Sequence, residues 1–300
     1  NVEQVLEDII KAGADIIFCV GPQMMPNSLK VAVEHPEVYI LNCSLNAPHP
    51  YIRTYYGRMY EAKFLAGMIA GAVTDNERVA YIADYPIYGM IANINAFALG
   101  VASVNPRAKV YLAWSKTKDY DRNKFLTEND LHYVSDQDII TPNDASRYFG
   151  LYKLQDGQAL NLAMPIWNWG VFYEKLLQSV LAGSYKAEGQ EQVKALNYWW
   201  GMSAGVIDLI CSKHVPYGVK RLADHLKSDI TKGEVVPFFG QIYDQKGELK
   251  NKGEHEMKPS DIMKMDWLVD NVVGSIPPMS EFVDNAKMVV ELKGVEGNKL

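Results

Sequence analysis

A chain of 300 residues passes the size at which a single hydrophobic core keeps growing, so two packed lobes are expected. Hydrophobic residues at 48% and charged residues at 22% match ordinary globular usage and exclude a disordered or low-complexity chain. A net charge of -6 leaves no broad basic surface for a nucleic-acid backbone, and no run approaches the ~18 apolar residues of a membrane-spanning helix.

Taken in chain order, Asn1 to Lys11 reads as an amphipathic helix stopped at Gly13, and the apolar run Ala14 to Val20 follows as a strand closed by Gly21-Pro22. A short helix from Pro26 to Glu34 precedes a second strand, Val38 to Asn42. Near-continuous hydrophobicity in both strands fits a parallel sheet covered on two faces. From Arg58 to Thr74 the order RMYEAKFLAGMIAGAVT places Tyr60, Phe64, Met68 and Ala72 on one helical stripe. Ala62, Ala66, Gly67, Ala70 and Gly71 in the same helix permit close approach of a neighbour.

Val79 to Ala83 is a strand, Tyr88 to Val104 a helix closed by Asn105-Pro106, and Lys109 to Trp114 a strand, which makes a second βαβ unit. His132 to Ser135, Arg147 to Tyr152 and Leu160 to Met164 read as short strands, and the helix from Asn168 to Ala182 stops at Gly183. Tyr198 to Met202 and Val206 to Ile210, separated by Ser203-Ala204-Gly205, read as a hairpin that adds an antiparallel edge. A helix from Pro216 to Lys232 ends at Gly233, and a strand from Phe238 to Tyr243 enters the turn Asp244-Gln245-Lys246-Gly247.

These elements make a two-lobed α/β protein with doubly wound, mainly parallel sheets. Lobe 1 is expected at residues 1–76 plus about 190–300 and lobe 2 at about 77–189. No Pro- or Ser-rich linker separates them, so the chain is expected to cross more than once, and such crossings make hinges. The chain enters on a helix, with only two parallel strands before the long helix at Arg58. The first strand of lobe 1 is therefore expected upstream of Asn1.

Catalytic motifs are missing: there is no G-x-S-x-G elbow, H-E-x-x-H helix, Walker loop or G-x-G-x-x-G after a strand. The six histidines are scattered singly, and Cys19, Cys43 and Cys211 read as buried thiols without metal-ligand spacing. No catalytic residue, metal or cofactor is expected. The informative positions are the carboxyl ends of the strands, where open α/β sheets take their ligands. Trp114, Trp167 and Trp169 are candidate stacking partners for a flat heterocycle, each worth roughly 1–3 kcal/mol. Asn42, Asp84, Asp136, Gln137 and Asp138, with Tyr85 beside Asp84, are candidate readers of its donor and acceptor edge. Asp136 and Asp138 are expected to turn to opposite sides rather than work as an acid/base pair. Trp199 and Trp200, adjacent in a strand, face opposite ways, so at least one of them packs internally.

The run Arg58-Met59-Tyr60-Glu61-Ala62-Lys63-Phe64-Leu65-Ala66-Gly67-Met68-Ile69-Ala70-Gly71 resembles the R-x-Y-E-A-x-x-L-A-G-x-x-A-G signature of the basic membrane lipoprotein (BMP) family. Those are substrate-binding proteins of ABC-type nucleoside and purine importers. Ile94-Asn95-Ala96-Phe97-Ala98-Leu99-Gly100 with Val104-Asn105-Pro106 is similar to a second family segment. Leu162-Ala163-Met164-Pro165-Ile166-Trp167-Asn168-Trp169-Gly170 is similar to the tryptophan-bearing branch, and Phe239 to Gly247 adds support.

The resemblance implies a periplasmic-binding-protein-like, Venus flytrap fold that closes on a purine or nucleoside. It also implies an ABC permease as partner, and an extracytoplasmic lipoprotein whose membrane anchor lies outside this chain. Two departures refine the ligand. The strand and Asp-Asn loop that open the nucleoside-binding branch are absent. Its sugar-binding Asp and Lys also give way to Tyr152-Lys153 and Ile166-Trp167-Asn168. Because ribose needs polar partners, this favours a free base such as adenine. A second reading is the ligand-sensing regulatory domain of a larger, cytoplasmic protein. The least supported is a nucleoside hydrolase, which needs clustered carboxylates or a metal.

Overall fold

The alternation of apolar runs with amphipathic helices builds two α/β units in the computed structural model, which describes residues 2–45, 51–138, 146–183 and 198–294. One unit takes residues 1–58 and 168–200, the other residues 59–167 and 201–300, so the chain passes between them three times. The first segment holds α1 (Val2–Lys11), β1 (Ile16–Cys19), α2 (Met25–Glu34), β2 (Tyr39–Cys43) and β3 (Arg53–Gly57). The second begins the larger unit with α3 (Met59–Val73), β4 (Arg78–Ala83), α4 (Met90–Val104) and β5 (Lys109–Trp114). It continues through α5 (Arg122–Glu128), β6 (Tyr133–Ser135), β7 (Leu151–Gln155) and β8 (Gln158–Trp167). The chain then returns to the first unit for α6 (Trp169–Leu181) and β9 (Tyr198–Trp200). The last segment carries β10 (Ile207–Cys211), α7 (Tyr217–Lys232), β11 (Gln241–Tyr243) and β12 (Leu249–Lys252). It ends with α8 (Pro259–Met263), β13 (Val272–Val273) and α9 (Asp284–Lys293).

The sheet of the first unit has the order β1-β2-β3-β9, and every pair in it is parallel. Leu6 of α1 and Val31 and Ala32 of α2 pack with Ile17, Cys19 and Ile40 of the strands. The continuous apolar runs of β1 and β2 thus do what such runs do in a covered parallel sheet.

The second unit has a seven-stranded sheet in the order β10-β8-β7-β6-β4-β5-β13. Strands β6, β4, β5 and β13 run parallel. β8 runs with them, because it and β6 are each antiparallel to β7. Helix α3 is buried at every residue from Met59 to Gly71, as an interior helix must be. It lies directly on α4: a Cβ at Gly67 would strike the Phe97 carbonyl oxygen, and one at Gly100 the Phe64 carbonyl oxygen. The lysine and glutamate inside this buried stretch, Lys63 and Glu61, need partners, and both have them.

Several expectations are corrected. The sheet has a third parallel strand before the long helix, β3, whose Tyr55 and Tyr56 pair with Tyr198 and Trp199 of β9. The expected hairpin between residues 198 and 210 does not form. β9 joins the first unit's sheet, whereas β10 pairs antiparallel with β8 in the second. The break is local: a 3-10 turn at Met202–Ala204 is tied by the Met202 N–H to the Glu61 carboxylate at 2.6 Å. The antiparallel edge exists, but its partner is β8. Strand β7 begins at Leu151 rather than Arg147, because Arg147 and Gly150 sit at φ 57° and 61°, where a strand cannot run. The unit boundary near residue 58 replaces the expected one near 76. Packing on α4 makes α3 part of the second unit, and pairing of β10 and β13 with its sheet takes residues 201–300 there too. The expected boundary near 189 lies outside the described residues.

Candidate functional site

Because β4, β5, β6 and β8 run in one direction, their carboxyl ends share one end of the seven-stranded sheet. Seven of the nine candidate residues lie there: Asp84 and Tyr85 after β4, Trp114 at the end of β5, Asp136, Gln137 and Asp138 after β6, and Trp167 at the end of β8. Asn42 and Trp169 belong to the first unit.

The seven differ in what they offer. Trp114 is 5% exposed and its indole N–H donates to the Ser275 carbonyl at 2.8 Å, so this ring is packed into its own unit. Trp167 is half-buried. Asp84 accepts a short hydrogen bond from the Ser115 hydroxyl, and Tyr85 beside it is half-buried. The Asp136 side chain is 4% exposed and meets Arg122 Nη2 at 2.8 Å, while the Tyr152 hydroxyl donates to the same carboxylate at 3.1 Å. Its other oxygen accepts the Gln137 N–H at 2.8 Å. Gln137 is exposed, and its carbonyl accepts the Gly150 N–H at 2.7 Å.

Asp138 answers a different cation. Lys63 Nζ stands 2.6 Å from its carboxylate, with side-chain exposures of 1% for Lys63 and 20% for Asp138. The ammonium also donates to the Ser135 hydroxyl at 3.2 Å and to the Asp136 carbonyl at 3.4 Å, and it lies 5.1 Å from the centre of the Tyr81 ring. Burial pushes the Asp138 carboxyl above its ordinary range, and the Lys63 charge opposes that rise. Asp136 turns to Arg122 and Asp138 to Lys63; residues two apart in a strand share a face, so this divergence comes from the loop after β6 and not from strand alternation.

In the first unit Asn42 is fully buried. Its amide donates to the Gly21 carbonyl at 3.0 Å, and its side-chain oxygen has no hydrogen-bond partner among the described residues. Trp169, in the first turn of α6, is half-buried and belongs to an aromatic cluster. Its ring lies stacked against Tyr173 at 6.3 Å and edge-on to Tyr55 at 5.7 Å. Tyr55 is fully buried, stacks on Phe172 at 4.7 Å, and shares a hydrogen bond with the Tyr173 hydroxyl at 3.2 Å. Of the paired indoles of β9, Trp199 is buried and Trp200 half-buried.

Lys63, Tyr120 and Arg122 were not singled out from the sequence, and Tyr152 was read only as a replacement for a sugar-binding charge. Tyr120 belongs here because its hydroxyl is buried with no hydrogen-bond partner among the described residues. Burial pushes that hydroxyl up to about 12, and the charges of Asp136 and Asp84 add to the rise. Lys63 carried a legible signal, a cation inside an otherwise apolar helix. Arg122 carried a weaker one: Asp121 caps a helix of only 7 residues by accepting the Lys124 N–H at 3.0 Å.

A family model described as Bmp, ABC transporter substrate-binding protein PnrA-like, matches residues 1–148, the stretch holding both specific motifs of α3 and α4. The first 148 residues thus match the Bmp family. Bmp proteins are substrate-binding components of ABC transporters, which bind a solute and do no chemistry on it. A purine-binding protein of Brucella abortus is 26% identical over 290 residues, covering 92% of this chain and 81% of that protein. A putative ABC transporter glucose-binding protein of Haloferax volcanii is 30% identical over 217 residues, 68% of this chain and 54% of that protein. Among solved structures, a transcriptional activator of the comK gene from Bacillus halodurans superposes with a TM-score of 0.59 at 15% identity, covering 79% of this chain and 87% of that one. A solute-binding protein of an ABC transporter system from Conexibacter woesei gives 0.55 at 17% identity, covering 78% and 83%. These likenesses establish the fold that this chain shares with both, a two-unit α/β architecture of mostly parallel sheets.

Proposed function

We propose that this protein captures a purine base, adenine-like rather than a nucleoside, and delivers it to an ABC permease for import. In this reading it works outside the cytoplasm as a membrane-anchored lipoprotein. The observation that carries the ligand class is the end of the seven-stranded sheet. There a half-buried indole, Trp167, ends β8, and the acceptor-bearing loop Asp136-Gln137-Asp138 follows the parallel strand β6. Aromatic faces bind the flat base and carboxylates its N–H edge. The purine-binding relative from Brucella abortus supports the same class, while the name of the Haloferax volcanii relative makes glucose the control.

Calorimetry with adenine, guanine, hypoxanthine, adenosine, inosine and glucose tests this. Adenine is expected to bind more tightly than adenosine, and glucose to give no heat. Flat traces for every purine with folded protein overturn the assignment, and binding of glucose alone moves the ligand class to sugars.

A further inference from the structure

Lys63 is a lysine where lysines do not ordinarily go. Long cationic side chains carry their heads to water, and an ammonium taken out of water is costly unless it is paired and hydrogen-bonded. At 1% exposure Lys63 cannot reach solvent. Its three polar partners come instead from one four-residue stretch, the Ser135 hydroxyl, the Asp136 carbonyl and the Asp138 carboxylate. A single ammonium is therefore the hub on which the loop after β6 is hung.

The two acids of that loop are not equivalent. Asp136 is 4% exposed and already accepts from Arg122, Tyr152 and the Gln137 N–H. Asp138 retains 20% exposure, so of the pair it is the more open. Resting on the purine reading above, we infer that Lys63 is a positioning residue which holds Asp138 in place as a hydrogen-bond acceptor and so selects purines bearing an amino group over their oxo counterparts. An ionised carboxylate accepts hydrogen bonds and donates none. Facing the 6-substituent, it is satisfied by the amino group of adenine, whereas the 6-oxo oxygen of hypoxanthine meets lone pairs and the ring must turn to bring N1–H to the carboxylate, which is how a polar site disfavours an analogue.

The groups whose charge bears on Asp138 are Lys63 on α3, Tyr81 on β4 and Asp136 in the same loop, with Arg122 from α5 and Tyr152 from β7 engaged by Asp136. Burial favours the neutral acid and Lys63 opposes it. Removal of Lys63 therefore leaves Asp138 protonated to higher pH.

The test is calorimetry with adenine and hypoxanthine on the wild type, Lys63→Met, and the double variant Lys63→Met/Asp138→Asn. The wild type is expected to prefer adenine by about 10- to 100-fold. Lys63→Met is expected to erase that preference, with residual adenine affinity that rises with pH. An equal weakening of both ligands with no pH trend would mark Lys63 as merely structural and overturn the inference. Should Lys63→Met fail to fold, the double variant buries no unpaired charge and is expected to show the same loss of preference. Its retention of the wild-type preference overturns the inference too. A wild type that binds no purine of the panel above overturns the purine reading and this inference with it, and one that binds other purines but neither of these two overturns this inference alone. A wild type that binds purines without preferring adenine overturns this inference alone.

Discussion

Trp114 and Trp167 are both indoles at the carboxyl ends of strands, yet their surroundings assign them different tasks. The N–H of Trp114 is already given to Ser275 and its ring is buried, so Trp114→Phe is expected to cost roughly 1–2 kcal/mol of stability in urea denaturation and to leave adenine affinity unchanged. Trp167 is half-exposed at the same end of the sheet, so Trp167→Ala is expected to weaken adenine binding by about 1–3 kcal/mol in calorimetry with little change in the unfolding midpoint. The opposite pairing of effects would exchange their roles. Periodicity and strand-end logic select both tryptophans equally. Only the packing around each ring separates a residue that completes a core from one left half-exposed.

The pairing of α3 with α4 depends on backbone approach at Gly67 and Gly100, since a side chain at either meets a carbonyl oxygen of the facing helix. Gly100→Ala is expected to lower stability by about 1–3 kcal/mol or more by forcing the helices apart, seen as a lower urea midpoint with the far-UV spectrum retained. An unchanged midpoint would mean the pair yields easily at that point. The helices and most strands were legible here because their apolar spacing is local information. Strand β3 was not, because Arg53-Thr54-Tyr55-Tyr56-Gly57 lacks an apolar run and gains its place by pairing with β2 and β9. The expected hairpin failed for the same reason. Two strand-like runs joined by Ser203-Ala204-Gly205 satisfy hairpin spacing, but Glu61 claims the intervening turn, and each strand finds a better partner far away in sequence.

For the molecule as a whole, binding to the folded state alone raises stability by RT ln(1 + [L]/Kd). Adenine at 100 times its Kd is therefore expected to add about 2.7 kcal/mol and raise the thermal midpoint, with no shift from glucose. A midpoint indifferent to adenine argues against the ligand proposed above. Length and composition were enough to imply two α/β units, and the α3 and α4 motifs were enough to imply the family, because size limits one core and close helix packing demands particular residues at particular steps. Sequence alone also led to the strand ends, seven of whose candidates meet at one end of one sheet. What it did not contain was the assignment of partners. That Asp136 belongs to Arg122 and Asp138 to Lys63 depends on contacts between residues 14 and 75 positions apart, and the changes of unit after residues 58, 167 and 200 depend on pairings as distant as Tyr55 with Tyr198. Local periodicity carries no record of such contacts, and only the tertiary structure decides which buried charge answers which.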